Sequence, residues 1–283
     1  MTDDALGRVA PSELVRERIV LHWAVQPLAA AADALLGTWP DHGQNTFAWS
    51  DAREALVGHD LGDGLRLALE SDALQVLLLD AGERVVWERA LVDATLDEAL
   101  ASIVEALSEQ GLDASGATLD GVRANGEYPD HPVRDGGTFA PGDDAARAEL
   151  GRWYAAARRA LVDVTGGESH ASEPRVWPHH FDLGQLVLLD PELGAERGRS
   201  IGLGLSPGDA YLAEPYLYVN PYPRPDGVEL PGVDGGRWET HAFLGAVLPA
   251  SEALASDGGA ELAMVRFVSS AYSLCGALLR EQV

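Results

Sequence analysis

The sequence contains no lysine, so all 20 of its basic residues are arginine. That absence excludes Schiff-base chemistry, a pyridoxal-phosphate lysine and a phosphate-loop lysine. Positive charge is scarce overall. Acidic residues number 45 against 20 basic ones, a net charge of −25, which repels phosphate backbones and argues against a nucleic-acid partner. Cys275 is the only cysteine, so no internal disulfide can form. Within an apolar helical run it reads as a small core residue. No uninterrupted membrane-length apolar run occurs. The stretch from Ile19 to Leu36 contains His22, Gln26, Pro27 and Asp33, and reads as a buried helix rather than a span. The acidic start Met1-Thr2-Asp3-Asp4 has no apolar run behind it, so no signal peptide is expected and the protein reads as cytoplasmic.

The length of 283 residues suits one large domain or two small ones. Pro11-Ser12 is a plausible cap, and Val15, Ile19, His22, Trp23 and Gln26 recur at helical spacing through Leu36. Pro27 must kink or restart that helix, because it lacks an amide donor. Short β-like runs follow at 46–49, 55–57, 65–69, 74–79 and 84–89, punctuated by Gly, Asp and Ser as in an antiparallel meander. Leu65 to Leu69 alternates with period two, as a half-buried strand should. Thr95-Leu96-Asp97-Glu98 is a capping box, and Gly111 ends the helix it starts. The second half repeats this order. A helix runs from Asp143 or Asp144 to about Val164. Strand-like runs follow at 175–177, 181–189, 200–205, 216–220 and 242–248. A final helix spans 260–280, with Leu262, Val265, Ser269, Tyr272, Cys275 and Leu279 as its buried face. The expected fold is α+β: two similar helix–antiparallel meander–helix halves, 1–118 and 143–283, packed with pseudo-two-fold symmetry and joined by a Gly/Pro/Asp-rich connector, 119–142.

The densest polar segment is Arg175-Val176-Trp177-Pro178-His179-His180-Phe181-Asp182. On a strand, His180 and Asp182 share one face and His179 and Phe181 the other. A His-x-Asp pair can supply two ligands to a divalent metal, or an imidazole oriented by a carboxylate. His22 or His42, at the equivalent place in the first half, would complete the set. The plainer alternative is hydrogen-bonded core histidines. Gly204-Leu205-Ser206-Pro207-Gly208 matches a hydrolase nucleophile elbow only superficially. The oxyanion hole needs the amide of the residue after the serine, and that residue is Pro207. A strand ending in a Pro-Gly turn is expected instead. In Tyr216 to Pro223, Tyr216, Tyr218 and Asn220 alternate onto one strand face. That face suits a polar small molecule or a partner, unless the segment is an edge strand covered by its own return loop.

Taken in order, these motifs resemble a bacterial domain-of-unknown-function family of conserved hypothetical proteins. Its Leu-His helix followed by Gln matches Leu21-His22 and Gln26, and its Asn-His step loosely matches Asp41-His42. Its Trp-Gly-Ser-Phe-Asp-Leu-Ala stretch aligns with Pro178 to Gly184, its Gly-Phe-Trp-Pro-Gly with Gly204 to Gly208, and its Tyr/Pro strand with Tyr216 to Pro223. The resemblance covers nearly the whole chain and implies no activity, substrate or cofactor. Its pattern has Gly-Ser where this chain has His179-His180, which gives Asp182, His22 and Tyr218 more weight than His179.

Three functional expectations result. The first is a small polar ligand, or a partner, bound in a cleft between the halves by His22, His42, His180, Asp182, Tyr218 and Asn220. The second is a metal-dependent hydrolase with His180, Asp182 and His22 or His42 as ligands and a bound water as nucleophile. The third is a non-catalytic homo-oligomer using the Tyr/Pro strand. Neither nucleic acid nor membrane is expected as a partner.

Overall fold

The computed structural model describes residues 5–126 and 128–281. It is α+β, with two antiparallel sheets and seven α-helices among the described residues. The chain divides into two compact units. One holds 13–151 with 176–181; the other holds 5–12, 152–175 and 182–281.

In the first unit, α1 (Val15–Ala24) and α2 (Gln26–Leu36) are separated at Val25. Pro27 falls in the first turn of α2, where its missing N–H would have no intrahelical partner. Gly37, at φ 63°, terminates α2. Strands β1 (Ala48–Ser50), β2 (Ala55–Val57), β3 (Arg66–Glu70), β4 (Gln75–Leu79) and β5 (Val85–Ala90) form an antiparallel meander in sequence order. β3 departs from the expected half-burial, because Leu67, Ala68 and Leu69 are all buried. Leu67 and Leu69 share one face with Leu56, Val76 and Leu78. Ala68 joins Leu77, Leu79 and Val57 in a smaller cluster on the other face. Both faces of this strand are therefore covered.

Helix α3 (Leu96–Glu109) starts at the expected capping box. Glu98 N donates to Thr95 Oγ1 at 3.2 Å, and Thr95 N donates to Glu98 Oε2 at 2.8 Å. α3 packs against α2. Beyond it, α4 (Asp120–Ala124) and the 132–135 turn are ordered, and single bridges tie Thr138 to Thr95 and Phe139 to Val92. α5 (Asp144–Thr165) belongs to both units, the division falling after Gly151. Trp49 fills the space beside Gly151, where a Cβ would stand 2.7 Å from its ring.

A buried ion pair fastens this unit. Arg147 donates to Glu17 Oε2 at 2.7 Å, and their side chains are 4% and 2% exposed. The guanidinium also donates to the carbonyls of Pro141, Ser71 and Asp72 at 2.9–3.1 Å. One side chain thereby ties α1, α5, the β3–β4 turn and the segment before α5.

The remaining strands are β6 (Arg175–Trp177), β7 (Asp182–Leu188), β8 (Ser200–Ser206), β9 (Tyr216–Tyr222), β10 (Arg237–Glu239) and β11 (Gly245–Pro249), in the order β10-β11-β9-β8-β7-β6. β9 lies inside the sheet, between β11 and β8, so the edge-strand alternative is corrected. Pro221 is tolerated because it lies past Val219, the last β9 residue paired with β11. Strand β10 was not anticipated. It is three residues long and sits in a Gly/Pro-rich loop, and pairing with β11 creates it.

After α6 (Ala250–Leu254), α7 (Ala260–Arg280) packs across β8, β9 and β11. Its bounds match expectation and its buried face does so in part, since Cys275 and Leu279 are buried, Val265 and Tyr272 are half-buried, and Leu262 and Ser269 are exposed. Ala263, Met264, Phe267, Val268, Ala271, Cys275, Leu278 and Leu279 point inward, while Leu262 is 50% exposed. In its first half the buried stripe is therefore rotated onto Ala263, Met264, Phe267 and Val268, away from Leu262, Val265 and Ser269. Cys275 lies 4.0 Å from the Val219 carbonyl, and burial pushes its thiol up to about 12. By length and composition, Val15–Leu36 and Ala260–Arg280 could each cross a membrane. Each buries at least half of its most apolar window inside the protein, as core helices do.

Candidate functional site

The His-rich segment is a hairpin turn rather than a strand. β6 ends at Trp177, and the chain reverses through 178–181. Phe181 N donates to Trp177 O at 2.7 Å, and Phe181 sits at φ 57°, in the left-handed region. The expectation that His180 and Asp182 share a strand face is therefore corrected. Alternation starts only at Asp182, and His179 and His180 are exposed on the turn.

His22 and Gln26 serve this turn. His22 Nε2 lies 2.9 Å from the Pro178 carbonyl, and Gln26 Nε2 donates to the same oxygen and to His22 O, both at 2.7 Å. The imidazole stacks on Phe181 (5.5 Å, 11°) and meets the ring of Tyr128 at 5.2 Å. Burial drives the His22 pKa down to about 4, opposed by hydrogen bonds to the backbone of Pro178 and His179 and reinforced by the Arg18 charge. A neutral ring donating from Nε2 fits this setting. His22 is a positioning residue for the hairpin.

His42 is exposed at φ 56°, at the start of the 43–45 turn. Its neighbourhood is served by His59 instead, whose Nε2 reaches Gly43 O at 3.0 Å and Thr46 Oγ1 at 3.2 Å. Among the described residues, no three His, Cys, Asp or Glu side chains are grouped to hold a metal ion. The ligand set His180, Asp182 and His22, or its variant with His42, does not assemble. The turn at 178–181 detaches His180 from Asp182, and His22 is committed to a carbonyl.

The other three expected residues lie in the second unit. Period two places Asp182 on one face of β7, and Tyr216, Tyr218 and Asn220 on one face of β9. In the ladder, Tyr216 stands opposite Ser206, Tyr218 opposite Gly204 and Asn220 opposite Gly202. The two glycines form a floor under the longer side chains. A Cβ on Gly202 would stand 2.6 Å from Asn220 Oδ1, and one on Gly204 would stand 2.4 Å from Tyr218 Cζ and Oη and 2.2 Å from Leu183 O. The phenol of Tyr218 occupies the volume that a residue at 204 would need.

Tyr218 Oη donates to Asp182 Oδ2 at 2.5 Å, and Tyr216 Oη donates to Asp209 Oδ2 at 2.6 Å. Asp209 Oδ1 also accepts the N–H groups of Tyr211 and Leu212. Burial, the Asp182 charge and the donated hydrogen bond raise the Tyr218 pKa well above 10. Burial and Asp209 raise that of Tyr216, so both phenols stay protonated. Two parallel phenol–carboxylate pairs thus lie on a glycine and serine floor. Tyr216 carried a readable signal, being two residues from Tyr218. Asp209, Gly202 and Gly204 did not, because cross-strand register brings them in.

Gly204→Ala is expected to destabilise the protein by about 1–3 kcal/mol through overpacking and to push Tyr218 off Asp182. Urea denaturation and the near-ultraviolet tyrosine signal read the two effects separately. An unchanged midpoint would show that the floor tolerates a methyl group and that the glycine is not required.

Comparison with protein-family models, with curated proteins and with solved structures finds no match to this chain.

Proposed function

We propose that the second unit binds a small polar molecule rich in hydrogen-bond donors, a polyol or an amine, on the β7–β8–β9 face that carries Asp182, Tyr218, Tyr216 and Asp209. The Tyr218–Asp182 bond over Gly204 carries this reading. A sheet face built for stability alone would pack apolar side chains at 202 and 204, whereas here Gly204 leaves room for the Tyr218–Asp182 pair and Gly202 for the Asn220 amide. Carboxylate and phenol oxygens together make the face rich in acceptors, so its ligand supplies donors. Asn220 extends the row, and its amide fills the space over Gly202.

Tyr218→Phe keeps the ring over Gly204 and removes only the hydroxyl. With a panel of polyols and amines read by calorimetry, this variant and Asp209→Asn should each weaken the best binder roughly tenfold, with little change in melting temperature. If both variants bind as the wild type does, or if only their stability falls, the pairs are structural and the reading is wrong.

A homo-oligomer through β9 would have to use this same face, since both edges of β9 are paired. The second sheet is not a strict meander, because β11 rather than β10 pairs with β9; the recurring order of helix, antiparallel strands and helix supports an internal duplication of one unit, which we keep as part of the proposal.

A further inference from the structure

An open cleft of about 400 Å³ lies in the first unit, between α2 and the segment around α4, at the lower end of the range of small-molecule sites. Ala30 and Ala34 of α2 and Val122 of α4 give it aliphatic walls. Two polar groups converge on it. Asp33, on its rim, accepts from Gln44 Nε2 at 2.7 Å through Oδ1 and from Asn45 Nδ2 at 3.0 Å through Oδ2. Both donors are neutral amides, so they orient the carboxylate without cancelling its charge. The second group is Tyr128, which lines the cleft yet is only 9% exposed. Its ring is held against His22 and Trp23, at 5.2 and 5.6 Å. Its hydroxyl has no hydrogen-bond partner among the described residues. Asp33 and Tyr128 line the same site, and burial, with a smaller contribution from the Asp33 charge, raises the phenol's pKa.

A phenol oxygen that opens on this space with no protein partner is free to accept a hydrogen bond from a ligand or from water. An oriented carboxylate beside it, over a short aliphatic wall, selects the ligand's charge and shape. We infer that this cleft binds a small organic cation, a primary ammonium on a short hydrocarbon body. Asp33 is its counter-ion, the Tyr128 oxygen accepts one of its N–H groups, and Ala30, Ala34 and Val122 cover its carbons. This site is separate from the tyrosine face of the second unit and does not depend on that proposal.

The test uses the full chain, at low and at physiological salt, titrated with butylammonium and phenethylammonium. Butanol and butyrate serve as neutral and anionic controls. The ammonium ions should bind saturably and the controls should not. Asp33→Asn should weaken binding roughly tenfold and Tyr128→Phe severalfold. Gly121→Leu is the decisive variant. Gly121 lines the site, and a Cβ there meets nothing within 4 Å, so a larger side chain is accommodated at the site's wall without a clash. It should abolish binding while the melting temperature holds or rises, because leucine favours helix over glycine. Tyr218→Phe should leave ammonium binding intact, which separates the two sites. The inference is overturned if butanol binds as tightly as butylammonium, if Gly121→Leu binds like the wild type, or if no ammonium saturates. Binding that survives Gly121→Leu would be attraction to a chain of net charge −25 and not occupancy of a site.

Discussion

Arg147→Met is expected to lower the unfolding free energy by about 3–5 kcal/mol, the usual cost of removing one partner from a buried ion pair. The Glu17 carboxylate would stay buried with its charge uncompensated. Arg16, whose nitrogen lies 3.9 Å from Glu17, is 75% exposed and does not substitute for the buried guanidinium. The carbonyls of Ser71, Asp72 and Pro141 would lose their donor at the same time. Guanidinium chloride denaturation should show a lower midpoint with the slope unchanged. The double variant Glu17→Leu with Arg147→Met should regain part of the loss, because no buried charge remains. If the single variant loses less than about 1 kcal/mol, the pair is screened like a surface one and the account given of it fails.

The second large effect is a loss of stability on mild acidification. The His22 pKa falls from its ordinary 6.5 to about 4 in the folded protein, chiefly through burial. The unfolded chain therefore takes up a proton at a pH where the folded chain does not. Above pH 6.5 both states are neutral and nothing is lost. As pH falls from 6.5 towards 4, stability drops, and the full loss is about 3 kcal/mol by linkage. Protonation would also leave His22 less able to sit between Phe181 and Tyr128, loosening the hairpin that it anchors. His131, lowered mainly by burial, acts in the same direction. Asp190, held at about 2 by Arg199, and Glu239, held at about 2 chiefly by its hydrogen bond with Tyr211, contribute losses only at lower pH. Urea midpoints from pH 7.5 to 4 for the wild type and His22→Gln isolate the term. The variant should be flatter across that window. Parallel curves would mean that the histidine titrates alike in both states.

Legibility from the sequence followed the range of the interaction. The Thr95 capping box and the bounds of α7 are set by neighbours in the chain, and both can be read directly. The row of Tyr216, Tyr218 and Asn220 is likewise a local period-two fact. The Pro178–Phe181 turn is only partly legible, because Pro178 marks an edge, a strand start or a bulge but nothing local places the bulky Phe181 at φ 57°, where alternation breaks. The partner of His22 lies 156 residues away, so the motif Leu21-His22 with Gln26 could be noticed but not interpreted. The first half of the α7 face was misplaced because hydrophobicity alone does not tell Leu262 from Met264; the shape of the sheet beneath decides. Asp33 and Tyr128 went unread for a similar reason, since a cleft exists only after α2 and the α4 segment have packed.

The chain enters and leaves the first unit twice, and the short return, 176–181, includes residues that this unit uses. Phe47 pairs with Val176, and His22 and Gln26 hold Pro178. No single cut of the polypeptide can release that unit whole. A recombinant fragment ending at 151 would display an unpaired β1 flank and an imidazole facing an empty slot. Adding back a short synthetic peptide covering 174–183 should rescue its solubility, in the manner of a complemented enzyme fragment. In such a thread the six-residue hairpin tip works as a latch contributed from beyond residue 175, and proteolysis there would disable a unit whose remaining sequence ended at 151.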